Sequence, residues 1–173
     1  MADARALLIT GTVGAGKTTV AEALGDLLIQ DGIPSAIIDV DWLRRSWPAP
    51  PGDPFNGKIT LRNLHAVAAT YLEAGARRLV LAGVAESAAE RDAYQVALGV
   101  PLTVCRLRVD LPTVRQRLTR RQANDAAGLG WFLKRSGELD QILDQARIED
   151  VTVDAGTGPP RQVAELVMTA IDW

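Results

Sequence analysis

The chain has 173 residues, a length typical of one domain with one hydrophobic core. Apolar residues make up 47% and charged residues 23% of the sequence, which is the profile of an ordinary globular protein. The formal net charge of −2 and the lack of a long apolar run argue against nucleic acid or a membrane as a partner. Cys105 is the single cysteine and cannot form an internal disulfide, so we expect a cytoplasmic protein.

Strand and helix patterns alternate along the whole sequence. We predict five strands, at 6–10, 35–39, 78–82, 102–109 and 151–153. We predict helices between and after them, at 17–30, about 59–74, 88–98, 110–121, 138–146 and 162–171. The proline-rich stretch 42–57 and the glycine-bearing stretch 122–137 lack a regular pattern. This alternation predicts an α/β fold, with one parallel sheet covered by helices on both faces, in a single domain spanning 1–173.

Glycines shape the turn between the first strand and the first helix. Residues 11–18 have the P-loop pattern, in which two glycines separated by four residues precede Lys-Thr. Such a loop points consecutive main-chain N–H groups at phosphate, and the following helix adds its positive end. Lys17 is expected at the β- and γ-phosphates, and the Thr18 hydroxyl is expected to bind Mg²⁺. We therefore predict that ATP and Mg²⁺ bind at Gly11, Thr12, Val13, Gly14, Ala15, Gly16, Lys17, Thr18 and Thr19.

Charged residues follow the second predicted strand. Asp39 and Asp41 are two residues apart, so both side chains would face the same way if the strand continued. A carboxylate here could accept a proton from an acceptor hydroxyl while the γ-phosphoryl group is transferred. Arg44 could bind a polar or anionic acceptor. The alternative interpretation is that Asp41 caps a short helix and Asp39 bonds to a loop.

Aromatic residues surround the same region. Trp42, Trp47 and Phe55 lie in or beside the proline-rich stretch, and Trp131 lies in the stretch 122–137. They could form a wall for a planar or apolar acceptor, with Trp42 nearest to the acidic pair. Ordinary packing is the alternative.

A group of arginines precedes the second irregular stretch. Arg117, Arg120 and Arg121 have the spacing of one helix face. Together with the residues that follow, to which Arg135 belongs, they predict a short lid at about 117–137 that closes over ATP. There the arginines would stabilise charge on the transferring phosphoryl group. A solvated helix face in an arginine-rich chain is the alternative.

The P-loop, the Asp-x-Asp-x-x-Arg pattern of 39–44 and the Arg-Leu-x-x-Arg pattern of 117–121 together resemble the P-loop small-molecule kinases. This group includes adenylylsulfate kinase, gluconate kinase, shikimate kinase and chloramphenicol phosphotransferase. The resemblance implies a three-layer P-loop NTPase fold with a five-stranded parallel sheet and a short helical lid. It also implies an enzyme that moves the γ-phosphate of ATP to a hydroxyl of a small molecule, such as a nucleotide-like compound, a sugar acid or an antibiotic.

The resemblance assigns further residues. Asp41 would contact the acceptor, with Arg44 beside it, and the loop that contains Gly156 and Thr157 would border the adenine ring. Many relatives end the third strand with an aspartate near Mg²⁺, whereas 81–84 carry no acid here. Glu86 or Asp39 could act in its place through water, or the metal could rely on Thr18 and the phosphates. A nucleotide-dependent regulator or NTPase without a small-molecule acceptor is the alternative function.

Overall fold

A parallel sheet forms the centre of the fold. The computed structural model describes residues 3–156 and 158–173, so the predicted base contact Thr157 lies outside the described residues. The strands are β1 Arg5–Thr10, β2 Ser35–Asp39, β3 Arg78–Ala82, β4 Leu102–Arg108 and β5 Val151–Asp154. Their spatial order is β2-β3-β1-β4-β5, and every adjacent pair is parallel. The predicted five-stranded parallel sheet is confirmed, with small shifts at the strand ends.

Helices connect the strands. They are α1 Lys17–Gln30, α2 Val40–Leu43, α3 Gly57–Glu73, α4 Ala88–Leu98, α5 Leu111–Arg121, α6 Ala126–Ala146 and α7 Pro160–Ile171. The side chain of Ser87 accepts a hydrogen bond from Glu90 N at 3.2 Å and caps the beginning of α4. Among the described residues, no helix is both long and apolar enough to cross a membrane.

The sheet is buried on both faces, which gives the fold its three layers. In β1, Leu7 and Ile9 point to the face covered by α1 and α7, while Ala6 and Leu8 point to the face covered by α3 and α4. All four side chains are fully buried. Successive residues of a strand face opposite sides, so a strand between two helical layers must be apolar at every position. The predicted α/β fold is therefore confirmed.

The prediction that the stretch 122–137 is irregular was wrong. This stretch is helical from residue 126 onward and forms the first half of the 21-residue helix α6. Asp125 caps this helix by accepting a hydrogen bond from Gly128 N at 2.9 Å. Phe132 and Leu133 pack against the core. A glycine costs a helix about 1 kcal/mol relative to alanine, and this cap and these contacts outweigh that cost.

The second half of α6 is fixed to the sheet by a buried arginine. Arg106 on β4 is 1% exposed, and its guanidinium donates to Asp140 at 2.9 Å and to Asp144 at 2.8 Å. Glu149 lies 3.5 Å away as a third carboxylate. A buried charge is stable only when it is paired in this way, so α6 stays in a fixed place beside β4.

Candidate phosphate-binding and acceptor site

The P-loop lies at the point where the strand order reverses. The connection that leaves β1 runs to β2 on one side of the sheet, whereas the connection that leaves the adjacent strand β3 runs past β1 to β4 on the other side. Ligands of open parallel sheets bind beyond the carboxyl ends of the strands at such a point. The residues 11–16 leave β1 at this edge and lead directly into α1.

The backbone of the loop requires glycine at two positions. Gly14 and Gly16 have φ angles of +83° and +92°, which glycine adopts without strain. A Cβ atom at Gly14 would also lie 3.2 Å from Leu118 Cγ on α5, so the loop packs closely on this helix. Gly16 is the N-cap of α1 and has no side chain to satisfy the first N–H groups of the helix. These N–H groups and the helix dipole form a site for an anion.

Lys17 lies within the curl of the loop. Its Nζ atom donates to Gly11 O at 2.9 Å and to Thr12 O at 3.0 Å. Desolvation by burial lowers the pKa of Lys17 to about 8, although Asp41 and Asp39 favour the charged form. The two carbonyls compensate the positive charge of the ammonium group only in part. Phosphate oxygens at this position carry negative charge and would compensate it more fully. The geometry therefore suits a polyphosphate ligand.

A hydroxyl and a carboxylate meet beside this lysine. Thr18 Oγ1 donates to Asp39 Oδ2 at 3.2 Å, and Asp39 Oδ1 accepts from Asp41 N at 2.9 Å. Oxygen ligands of this kind suit Mg²⁺, which retains waters and phosphate oxygens in its remaining positions. A Cβ atom at Gly83, after β3, would lie 2.8 Å from Val40, so this position has no room for an acidic side chain. The acid that faces Thr18 comes from β2 instead.

The acidic pair is arranged differently from the prediction. The chain becomes helical at Val40, so the strand does not continue through 39–41 and the condition for both side chains to face the same way is not met. The alternative interpretation named Asp41 as the cap of a short helix. A short helix does follow, but its cap is Asp39. The Asp41 side chain is 72% exposed, and its Oδ1 atom lies 3.7 Å from Arg44 Nε. Both carboxylates still act on the charge of Lys17, because both raise its pKa.

Arg117 connects the P-loop with the loop after β5. Its Nη2 atom donates to Ala155 O at 2.8 Å and Gly156 O at 2.9 Å, and its Nη1 atom to Gly14 O at 3.4 Å and Ala15 O at 3.3 Å. These acceptors are all main-chain carbonyls. The contacts fit a residue that positions two loops, whereas the sequence predicted a residue that reaches the phosphoryl group from a lid.

A cavity of about 310 Å³ opens next to this connection. The P-loop and the start of α1 form one wall, Arg117 forms another, and the β5–α7 connection with the start of α7 forms a third. Its lining residues are Ala15, Gly16, Thr19, Val20, Arg117, Ala155, Gly158, Pro160 and Val163. A mostly apolar cavity of this size, beside a phosphate-binding loop, suits a flat heterocyclic base.

Residues 7–140 match an AAA domain family, and this match spans more than half of the chain. The chain belongs to this AAA domain family. No curated protein matches its sequence. Three solved structures share the fold of this AAA domain across nearly all of their length, although their sequence identity is low.

The first is the APS kinase of Mycobacterium tuberculosis in complex with AMPPNP and APS, at 19% identity and a TM-score of 0.68, covering 99% of each chain. The tunicamycin resistance protein of Deinococcus radiodurans is 22% identical with a TM-score of 0.65, covering 96% of this chain and 94% of the other. A gluconokinase from Sinorhizobium meliloti 1021 is 17% identical with a TM-score of 0.62, covering 98% and 95%. The AAA domain described here therefore has the fold of the small-molecule kinases that its motifs resemble.

The other arginines of the predicted lid occupy different environments. Arg120 and Arg121 are exposed at the end of α5, and the charge of Arg121 lowers the pKa of Lys17, so it acts across the P-loop. Arg135 on α6 forms an ion pair with Glu86, which follows β3. The lid at about 117–137, with Arg117, Arg120, Arg121 and Arg135 as its arginines, stays a prediction.

Sequence reasoning did not single out several residues that build the site. Val20, Pro160 and Val163 line the cavity, but apolar helix residues carry no chemical signal of their own. The main-chain carbonyl of Ser136 accepts a hydrogen bond from the Thr12 hydroxyl and ties α6 to the P-loop. A main-chain carbonyl cannot be recognised from sequence, since every residue has one.

Proposed function

We propose that the chain is an ATP-dependent phosphotransferase that moves the γ-phosphate to a hydroxyl of a small molecule. The observation that supports this most is the position of Asp41. Its carboxylate is exposed, next to the helix cap Asp39, and raises the pKa of the P-loop lysine Lys17. An exposed carboxylate this near to the phosphate-binding loop can take a proton from an incoming hydroxyl.

ATP fits the two parts of the site in one orientation. The phosphates would lie against the N–H groups of the P-loop, with Lys17 replacing its two carbonyl partners by phosphate oxygens. The base would enter the cavity beside Arg117, where Ala155 and Gly158 of the β5–α7 connection line it, and Gly156, whose carbonyl bonds to Arg117, lies between these two in the chain. The distance between these parts is set by Arg117, since it bonds to both loops.

Thr18 and Asp39 are the residues that would hold Mg²⁺. When bound, the ion neutralises phosphate charge and orients the phosphate oxygens for in-line attack. Asp39 is kept in place for this by its bond to Asp41 N.

In the reaction, the acceptor hydroxyl would lie between Asp41 and the γ-phosphorus. Its oxygen forms the new P–O bond, its proton passes to the Asp41 carboxylate, and the bond to the β-phosphate oxygen breaks to release ADP. Lys17 and Arg121 stabilise the charge on the transferred group and the leaving group. Arg44 keeps Asp41 near the acceptor, because their side chains are within ion-pair distance.

ADP release from ATP and Mg²⁺ tests this function, measured alone and with a panel of hydroxylated metabolites and antibiotics. We expect at least one acceptor to stimulate ADP release. Asp41→Asn should lower the stimulated rate about 100-fold or more while nucleotide binding is retained. Asp26→Asn is the matched control, because Asp26 is an exposed aspartate on α1, away from the site.

The alternative function gives a different outcome. A regulator or NTPase without an acceptor would bind or hydrolyse ATP at a rate indifferent to every compound and to Asp41→Asn. Lys17→Ala should impair either function, so it does not separate them.

A further inference from the structure

The second residue of the P-loop, Thr12, is bonded to a distant helix. Thr12 is 2% exposed, although most of the loop borders the open edge of the sheet. Its hydroxyl donates a hydrogen bond to the main-chain carbonyl of Ser136 on α6, 124 positions further along the chain. A buried hydroxyl needs such a partner, and the bond restrains the main chain of its own residue. The P-loop is therefore attached to α6 where its curl begins.

The acceptor carbonyl belongs to a turn of α6 that is itself fixed. Ser136 is 2% exposed, and its Oγ atom donates to Leu133 O at 2.8 Å. Asp140 lies one turn further on the same face of the helix and accepts from Arg106 of β4 at 2.9 Å. Arg106 is fully buried, and breaking a buried ion pair is costly. The turn that bonds to Thr12 therefore cannot shift without disturbing this pair.

Strand β4 completes a ring of contacts around the start of the P-loop. Arg106 is the register partner of Thr10, the last residue of β1. Thr12 follows Thr10 by two positions. A Cβ atom at the intervening Gly11 would lie 2.8 Å from Leu107 O, so the chain packs directly on the main chain of β4 here. The start of the P-loop is thus held by β4 on one side and by α6 on the other.

The rest of the loop depends on this fixed start. Gly14 and Gly16 have positive φ angles, and glycine loses more conformational freedom on ordering than any other residue. A loop that is already ordered before its ligand arrives avoids that cost at the moment of binding. Thr12 provides a fixed point immediately before these glycines.

Two contacts hold Thr12, and a ligand would affect them differently. Its carbonyl accepts from Lys17 Nζ at 3.0 Å, and phosphate oxygens would replace this bond in the proposed complex. Its hydroxyl is buried against α6, so phosphate does not compete for it. The bond to α6 is therefore the contact that can keep the loop in shape both before and after the nucleotide binds.

We propose that Thr12 is a positioning residue for the phosphates, and that its hydroxyl bond to α6 orders the N–H groups of the P-loop before the nucleotide arrives. This inference rests on the nucleotide binding of the proposed function and adds to it a residue that acts through the main chain. It concerns the phosphate chain alone. A ligand without a base should therefore depend on Thr12 as strongly as AMPPNP does.

Two substitutions of Thr12 test the inference. Thr12→Val removes the hydroxyl and keeps the shape of the side chain. We expect it to raise the Kd of AMPPNP and the Kd of tripolyphosphate, each with Mg²⁺, by about tenfold in calorimetry with the full chain. Thr12→Ser keeps the hydroxyl and should bind both compounds within about twofold of the unaltered protein.

Thr60→Val is the matched control. Thr60 on α3 is also 2% exposed, and its hydroxyl donates to a main-chain carbonyl, that of Asn56, at 2.7 Å. The control therefore removes the same kind of buried bond at a place outside the phosphate site. Both valine variants should lower the Tm by similar amounts, but Thr60→Val should leave the two affinities unchanged.

Hydrogen exchange of the loop amides gives a readout that a general loss of stability would not produce. In the free protein, the N–H groups of residues 13–16 should exchange faster in Thr12→Val than in Thr60→Val, because the loop opens locally more often. Saturating AMPPNP with Mg²⁺ should reduce this difference.

Four results would overturn the inference. These are a loss of less than threefold for Thr12→Val, an equal loss for Thr60→Val, a loss for AMPPNP that tripolyphosphate does not share, and unchanged exchange of the loop amides. The proposed function survives each of them, since the unaltered protein still binds nucleotide. If the unaltered protein binds neither AMPPNP nor tripolyphosphate, that function and the inference fall together.

Discussion

The phosphate side and the acceptor side of the site use different chemical groups. On the phosphate side, side chains bond to the main chain, since Lys17 donates to two carbonyls of the P-loop and Arg117 to four carbonyls of two loops. On the acceptor side, side chains point outward. The Asp41 side chain is 72% exposed, and Trp47 is 92% exposed.

This contrast follows from what each side has to bind. A triphosphate has the same shape in every nucleotide, so a glycine loop with fixed N–H groups recognises it through the backbone. Acceptors differ in shape and charge, and only side chains can distinguish them. The phosphate side can therefore bind its ligand through one backbone conformation, while the specificity of the acceptor side depends on its individual side chains. The following predictions test that division, beginning with the largest effect.

Lys17→Ala should weaken the binding of AMPPNP with Mg²⁺ about 100-fold, because it removes a charged donor from the phosphates. Calorimetry measures the change. Lys134→Ala is the control, because the Lys134 side chain is 80% exposed and contacts Glu138 at 3.8 Å. A loss of less than threefold for Lys17→Ala would mean that main-chain N–H groups alone bind the phosphates.

Arg117→Ala should weaken AMPPNP binding about 10- to 30-fold, because the P-loop and the β5–α7 connection are no longer tied together. Tripolyphosphate, which has no base, should lose less affinity than AMPPNP. Arg117→Lys should not restore binding, since an ammonium group cannot bond to both loops as the planar guanidinium does.

The exposed arginine of the same helix, Arg115, supplies the control variant Arg115→Ala. If Arg117→Ala lost equal affinity for AMPPNP and tripolyphosphate, Arg117 would contact the phosphates directly, as predicted for a lid arginine. It would then not act mainly by positioning the two loops.

The affinity for AMPPNP should fall roughly tenfold between pH 7 and pH 9. In the free protein, desolvation lowers the pKa of Lys17 to about 8, whereas bound phosphates would raise it. Binding then takes up a proton when the pH exceeds about 8, so the affinity decreases as the pH rises. Calorimetry across this range measures the slope, and the residual binding of Lys17→Ala should be independent of pH. A flat profile in the unaltered protein would show that the lysine is fully charged before the nucleotide binds.

The sequence by itself determined the parts that depend on local rules. The P-loop at 11–18 is a short-range pattern, and its glycines, lysine and threonine must be consecutive to form the curl. The strands were recognisable because a sheet buried on both faces requires apolar runs such as 6–9. The alternation of strands and helices then left a parallel sheet as the consistent fold.

Only the tertiary structure decided the parts that depend on distant residues. The first half of α6 is helical because it packs on the core and its second half is tied to Arg106, neither of which shows in its own composition. Arg117 finds carbonyls some forty or a hundred positions away in sequence. The acid near Thr18 comes from β2 because Val40 fills the space at Gly83. Contacts of this kind arise when separate segments share one volume, and a linear pattern does not encode which segments will meet.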